Sequence, residues 1–329
     1  MHAWFCDTPT GPEALTWREA PTPEPQANEI RLRVAAASLN FPDWLIVRNE
    51  YQIKPELPFV PGAEMAGWVD AMGAEVTGFE IGQAVACLPG MGGFGTHACV
   101  PADICLPLPK DFPMDQAAAL IMTYATTHHA LIDRGSLQGG ERVLILGAAG
   151  GVGSAAIQVA KSVGAHVIAA AGSQSKCQSC QLWGADATID YSVHTPSTTW
   201  RDEIKRLTDG QGVDVVYDAI GGAWAEPTFR SMAWRGRYLV IGFAAGDIPR
   251  LALNLPLLKG ASVVGVFWGD YAKREPKANR AMLDTLVQWH AEGKIAPVVG
   301  TTLPMLELKS AYQRMQQRQV VGKLVLVND

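Results

Sequence analysis

The residues of this chain best suited to hold reactive chemistry are glycines. Val143-Leu144-Ile145-Leu146 is an apolar run that ends in Gly147-Ala148-Ala149-Gly150-Gly151-Val152-Gly153, and a helical pattern through Ala155, Ala156, Val159, Ala160 and Val163 follows at once. Buried strand, tight turn and helix, in that order, make a seat for a pyrophosphate. Glycines let the backbone pass close to phosphates, and a helix N-terminus offers free N–H groups and the positive end of the dipole. Against G-x-G-x-x-G the first glycine is replaced by Ala148, while Gly150 and Gly153 keep the other two places.

The end of the next strand bears on which dinucleotide sits there. An NAD site usually places Asp or Glu about 20 residues after the glycines, on the ribose 2′-hydroxyl. This chain has Ala171-Gly172-Ser173 there and no carboxylate until Asp186. Ser173 and Lys176 stand in the first turn of the following helix, and Tyr191 follows the third apolar segment. A carboxylate would repel a 2′-phosphate, whereas a lysine and a hydroxyl would hold it. The expected cofactor is therefore NADPH.

These residues need a scaffold. Strand candidates follow at 166–171, 213–217, 237–241 and 262–266, most of them separated by helical segments. Strands alternating with helices imply an α/β fold with a doubly wound parallel sheet and a ligand at the strand C-termini. Residues 1–121 differ: they are rich in Pro and Gly, with short strands such as Glu29–Ala37 and few helix signals, an irregular β domain. After Trp268 come two amphipathic helices, at 280–289 and 306–317, and a last strand at 322–327. The expected division is a mainly β catalytic domain from 1–121 and 269–329, and a dinucleotide-binding domain from 122–268, with the active-site cleft between them.

Composition narrows the partners. A net charge of −5 with no charge block argues against nucleic acid or an anionic membrane. No apolar run reaches the length of a membrane span, and Met1–Cys6 does not read as a secretory leader, so the chain is expected to be soluble and cytoplasmic. The six cysteines make no disulfide framework for a chain this long. Cys177 and Cys180 form a C-x-x-C, but no second ligand pair accompanies them, and they read as ordinary helix residues.

Taken together, Asn40-Phe41-Pro42-Asp43, Leu57–Gly62, Ala148–Gly153, Val213–Asp218, Val240-Ile241-Gly242-Phe243 and Gly322–Leu326 give the chain a resemblance over essentially its whole length. It resembles the medium-chain dehydrogenase/reductase superfamily and, within it, the zinc-free quinone oxidoreductase (zeta-crystallin-like) group. The resemblance implies a GroES-like β domain, a Rossmann domain and a homodimer that pairs through the last sheet strand, 262–267. It places Gly150, Gly151 and Val152 on the pyrophosphate, and Gly172, Ser173, Lys176 and Tyr191 at the adenosine phosphate end. Ile241, Gly242 and Phe243, with Val266, Phe267 and Trp268, would flank the nicotinamide ribose and carboxamide. Asn40 and Thr127 would stand close to the nicotinamide, with Lys323 at the same cleft. A tyrosine often found in the family five residues after the asparagine is Leu45 here.

Zinc members of the superfamily take catalytic ligands from three segments: a cysteine near Asn40, a Gly-His-Glu near Gly62, and a Cys or His near Ile121–Met122. This chain has Asn40, then Gly62-Ala63-Glu64, then Leu120-Ile121-Met122-Thr123, so the nitrogen and sulfur ligands are missing. Glu64 alone cannot hold zinc, and the adjacent His128 and His129 point in different directions on a helix. No metal is expected. Without one, a suitable substrate is already activated as a hydride acceptor: a quinone or another conjugated carbonyl. Asn40, Tyr51 and Thr127, with Tyr124 beside them, are the candidate hydrogen-bond donors to the acceptor oxygen. Asp43 could serve either catalysis or the loop fold. The expected activity is NADPH:quinone oxidoreduction. The alternatives are an enone or enoyl-thioester reductase and a non-enzymatic NADPH-binding protein.

Overall fold

The computed structural model describes residues 1–328 of the 329-residue chain. The chain divides into two compact units, one made of Met1–Met122 and the residues from Pro297 onward, the other of Thr123–Ala296.

The unit Thr123–Ala296 is built on six parallel strands: β1 (Arg142–Leu146), β2 (His166–Ala171), β3 (Ala187–Asp190), β4 (Val213–Asp218), β5 (Met232–Val240) and β6 (Ser262–Gly265). Their order in the sheet is β3-β2-β1-β4-β5-β6, so the winding reverses between β1 and β4. Val143, Leu144, Ile145, Val167, Ile168, Ala169 and Ala170 are all fully buried. Burial on both sheet faces is why these strands read as continuous apolar runs rather than alternating ones. Helix α1 (Gly151–Ser162) buries Ala155, Ala156, Ile157, Val159 and Ala160. Trp200, Phe229 and Tyr238 fill the core beside the sheet.

Two boundaries differ from expectation here. β5 begins at Met232 rather than Arg237, because a register shift between Val213 and Val215 on β4 absorbs the irregular backbone around Arg235, whose φ is 63°. The other is the return of the chain, expected at 269. Residues 269–296 belong to the parallel-sheet unit instead. Packing explains it: the helix Pro276–Ala291 buries Met282, Leu283 and Leu286, and Ala296 is tied to Gln158 and Tyr124 by hydrogen bonds of 2.8–3.0 Å.

The other unit carries a mixed sheet in the order Val299–Pro304, Lys323–Val327, Glu29–Leu39, Glu64–Met72, Ala84–Cys87, Leu106–Pro107, with His97–Pro101 also paired to Glu29–Leu39. The edge pair Val299–Pro304 and Lys323–Val327 is parallel, and the remaining pairs are antiparallel. A core of Leu32, Met65, Phe94, Tyr312, Leu324 and Leu326 lies against it. Glu29–Leu39 is longer than the alternating stretch seen in the sequence, and its last residues, Ala35–Leu39, are all buried. They lead directly into a short helix, Phe41–Ile46, capped by Asn40.

Candidate functional site

The glycine turn sits at the C-terminal end of β1. Gly147 takes a φ of 68°, so the residue that needs left-handed freedom precedes Ala148. Ala148 can therefore stand in the first motif position without strain. Gly153 is required for a different reason. A Cβ there would overlap Gly147 O and come within 2.6 Å of Ala148 Cα, so only glycine lets α1 approach the turn. No acidic residue stands in the first turn of α1, and its leading N–H groups have no intrahelical acceptor. That end of the unit can hold an anion.

Thr127 supports this turn from behind. Its Oγ1 lies 3.0 Å from Tyr217 Oη and 3.3 Å from Val152 O, and both side chains are fully buried. Sequence inspection had no signal for Tyr217, which looked like one more apolar residue of β4. Its phenol is held well above the ordinary range by burial, so it remains a neutral partner.

At the C-terminal end of β2, Ser173 caps α2 (Gln174–Leu182) by accepting the Lys176 N–H at 3.3 Å, and its hydroxyl lies 3.0 Å from Ser175 Oγ. The Tyr191 ring lies against Gly172, where an added Cβ would meet it at 3.2 Å. Gly172, Ser173 and Tyr191 are therefore neighbours, with Lys176 in the first turn beside them. Asp186 stands at the other end of β2. It takes the Val167 N–H at 2.7 Å and pairs with Lys161 at 2.9 Å. The first carboxylate after the glycines is thus not a ribose ligand.

Ile241, Gly242 and Phe243 follow the end of β5, and Val266, Phe267 and Trp268 follow the end of β6, on the same edge of the parallel sheet as the glycine turn. β6 ends at Gly265, short of the expected Phe267, because Trp268 opens a helix. Trp268 is buried, and its indole N–H donates to Asn279 Oδ1 at 2.9 Å, whereas Phe267 is 62 % exposed. Trp268 anchors this loop through its indole, while Phe267 presents its ring to solvent.

The second polar centre lies in the other unit. Asn40, 5 % exposed, caps the helix Phe41–Ile46. Its Nδ2 donates toward Ser38 O and Oγ at 3.3 Å and Glu64 Oε2 at 3.2 Å, and its Oδ1 accepts from Lys323 Nζ at 2.5 Å. Asn40 was expected to donate to a substrate oxygen. Its amide hydrogens instead face acceptors inside the unit, because a buried amide must satisfy each of its groups. Asp43 takes the Asn40 N–H and the Ala63 N–H at 2.8 Å each. Burial pushes its carboxyl up to about 7, against those two donors and Lys323, which favour the charged form. These two hydrogen bonds tie the loop before the helix Phe41–Ile46 to the segment at Ala63. Glu64 accepts Ser38 Oγ–H at 2.6 Å and the Met122 N–H at 2.8 Å.

Lys323 was placed by resemblance at the cofactor. Its ammonium reaches Leu39 O at 3.3 Å, Asn40 Oδ1, and Glu64 Oε2 at 3.5 Å, so it is bound within this unit. Tyr51 alone of the three expected donors is partly exposed; it packs on the edge of the core, and burial together with Asp43 raises its phenol. The Cys177 and Cys180 thiols are free and buried, and burial pushes Cys180 up to about 12, which leaves neither reactive.

Residues 26–110 match the family model "Alcohol dehydrogenase GroES-like domain", and residues 151–288 match "Zinc-binding dehydrogenase". The quinone oxidoreductase-like protein 2 homolog of Nematostella vectensis is 36% identical over 302 residues, 91% of this chain and 81% of that protein. The quinone oxidoreductase of Pseudomonas aeruginosa is 33% identical over 319 residues, 96% of each chain. The chain belongs to the quinone oxidoreductase group of the medium-chain dehydrogenase/reductase superfamily. The solved quinone oxidoreductase of Thermus thermophilus, described also in complex with NADPH, matches this member of the group with a TM-score of 0.85 at 31% identity, each chain covered in full. Mixed β and Rossmann units are thus the superfamily's pair of domains.

One family description names zinc, and the residues here do not fit it. Among the described residues no group of three or more His, Cys, Asp and Glu side chains is placed to hold a metal. At the Asn40–Glu64 centre the carboxylate already faces four hydrogen-bonding or charged partners, one of them an ammonium. A dinucleotide does fit. The open first turn of α1, the close approach enforced at Gly153, and the Gly172–Tyr191 neighbourhood are features that such a ligand uses. Among the described residues no helix is long and apolar enough to cross a membrane.

Proposed function

We propose that this protein is a cytoplasmic, zinc-independent NADPH:quinone oxidoreductase that works as a homodimer. One observation carries the cofactor choice. The C-terminal end of β2 offers Gly172, Ser173, Lys176 and Tyr191, and its nearest following carboxylate, Asp186, is bound at the opposite end of the strand. A 2′-phosphate meets a lysine and a hydroxyl there, with no opposing charge from that acid. NADPH supplies the hydride.

The chain's own residues position and exclude. Gly150, Gly151 and Val152 offer backbone N–H groups to the pyrophosphate, and Thr127 with Tyr217 fixes the turn that presents them. Ile241, Gly242, Phe243, Val266 and Phe267 line the nicotinamide end. Asn40 acts through the segment it caps, which leads to Tyr51. The raised Tyr51 phenol stays protonated at neutral pH and can donate to the acceptor oxygen. With no metal to polarise a simple carbonyl, the substrate is one whose accepted charge delocalises, a quinone in first place.

The second copy pairs along β6, the last strand of its sheet, whose free edge would otherwise invite uncontrolled pairing. Exposed Trp234, Leu257, Leu258 and Val263 on and around that strand support the pairing.

The test is NADPH consumption by chelator-treated protein with a simple quinone and, in parallel, a conjugated enone. Turnover with the quinone at wild-type rate after metal stripping is expected. NADPH binding with no quinone turnover would sink the assignment, and faster enone turnover would make the protein an enone reductase.

A further inference from the structure

We propose that the Lys323 ammonium is a tethered cation that fills a closed oxygen site at the place where zinc members of the superfamily gather their metal ligands. Three segments expected to supply such ligands do converge here. Asn40 Nδ2 lies 3.2 Å from Glu64 Oε2, Ala63 N lies 2.8 Å from Asp43 Oδ1, and Met122 N lies 2.8 Å from Glu64 Oε1. The fold thus keeps the meeting point while the side chains at it have changed from metal ligands to oxygen acceptors.

What stands at that point is a positive charge on the chain itself. Lys323 is 5 % exposed, and its three N–H groups meet three acceptors: Leu39 O, Asn40 Oδ1 and Glu64 Oε2. Two carboxylates, Asp43 and Glu64, are buried around it at 1 % and 0 % exposure. A buried charge is tolerated only when paired and hydrogen-bonded, and this one is both. The lysine arrives on the strand Lys323–Val327, which pairs with Glu29–Leu39, while Glu64 opens the strand on the other side of Glu29–Leu39. One ammonium therefore joins three neighbouring strands and the cap of the helix Phe41–Ile46. A metal ion can be lost to a chelator; a tethered ammonium cannot. The lysine belongs to this centre rather than to the cofactor.

The test uses the full chain with Lys323→Ala and Lys323→Met. Lys323→Ala opens a cavity lined by unpaired acceptors. Its first thermal midpoint is expected to fall by on the order of 10 °C. Tens of millimolar n-propylammonium should restore at least half of that loss. Tetramethylammonium at equal ionic strength should restore none, because it has no N–H to donate. Lys323→Met fills the space without charge and is expected to stay low with either salt. An unchanged midpoint in Lys323→Met, or equal rescue by both salts, would overturn the proposal. So would an unchanged midpoint with tenfold weaker NADPH binding, which would make Lys323 a cofactor contact. If neither variant folds, the native protein decides. Acetylation followed by peptide mass spectrometry should label Lys323 roughly a hundredfold more slowly than exposed Lys110, since it requires local opening; equal rates would refute a closed site. Thermal midpoints and lysine reactivity need no turnover, so failure of the quinone assay leaves this test intact.

Discussion

The two units build their polar centres from different materials. In the parallel-sheet unit the centre is backbone: the glycine turn after β1, the first turn of α1, and the ends of β2, β5 and β6. In the other unit it is side chain: Ser38, Asn40, Asp43, Glu64 and Lys323, buried and bonded to one another. The first centre leaves donors facing outward for a ligand. The second consumes its donors and acceptors internally. A backbone centre can take a large anionic ligand and release it again, because its N–H groups are held by the fold whether or not they are used. A side-chain centre that satisfies itself gives rigidity to the elements around it.

The contrast can be broken by substitution. The largest effect is expected at the backbone centre. Gly153→Val puts a side chain into Gly147 O and Ala148, and should destabilise the protein by about 4 kcal/mol or more and abolish NADPH binding; urea unfolding and fluorescence titration check it. Wild-type affinity in that variant would mean that α1 can back away from the turn.

Lys323→Met comes next. Removing one member of a buried pair costs about 3–5 kcal/mol, and denaturant unfolding measures it. If NADPH affinity in the surviving folded fraction stays within about twofold, the two centres are energetically separate, which sharpens the contrast.

Asp43→Asn follows, at about 2–3 kcal/mol, since one of the two backbone N–H groups bonded to the carboxylate would face an amide hydrogen. The pH dependence has a definite sign. The folded group titrates near 7 and the unfolded one near 4. Between those values the folded state holds the extra proton, so the contribution of Asp43 to stability is largest below about pH 4 and fades as pH rises to about 7. Thermal midpoints of the wild type and Asp43→Asn across that range should converge as pH rises, apart from the constant cost of the amide. Parallel curves would show that Asp43 stays ionised throughout.

The smallest effect on stability, and the most specific on binding, is expected from Lys176→Ala. Loss of one charge-assisted contact should weaken NADPH binding by about tenfold to a hundredfold and leave NADH unchanged, as read by titration of both cofactors. Equal loss for both cofactors would place Lys176 elsewhere than on the 2′-phosphate.

Legibility followed the same divide. The turn at 147–153, β2 at His166–Ala171 and the acid-free stretch Ala171–Ser173 could be read along the chain, because a nucleotide seat is local: strand, turn and helix are consecutive. The replacement of the first motif glycine by Ala148 looked like a weakness, and the positive φ at Gly147 removes it. The side-chain centre was harder. Asn40 and Lys323 were both singled out, but each was assigned outward, to substrate and to cofactor. Nothing along the chain pairs residues 283 positions apart. Tyr217 behind Thr127 was invisible for a similar reason: a buried tyrosine in an apolar strand has the same pattern as a phenylalanine. The return of the chain at Pro297 instead of 269 was also a tertiary matter, since an amphipathic helix such as Pro276–Ala291 shows that it has an apolar face and not which unit covers it.

By itself, then, the sequence determined the parallel sheet, the glycine turn and the absence of cysteine or histidine at the three segments that bear the superfamily's zinc. Those depend on local backbone conformation and on residue identity. Only the tertiary structure decided where the hydrogen bonds of Asn40 and Thr127 go, which unit owns residues 269–296, and what charge stands beside Glu64. Those depend on strand pairing between distant segments, where the need to satisfy buried polar groups selects one partner from many.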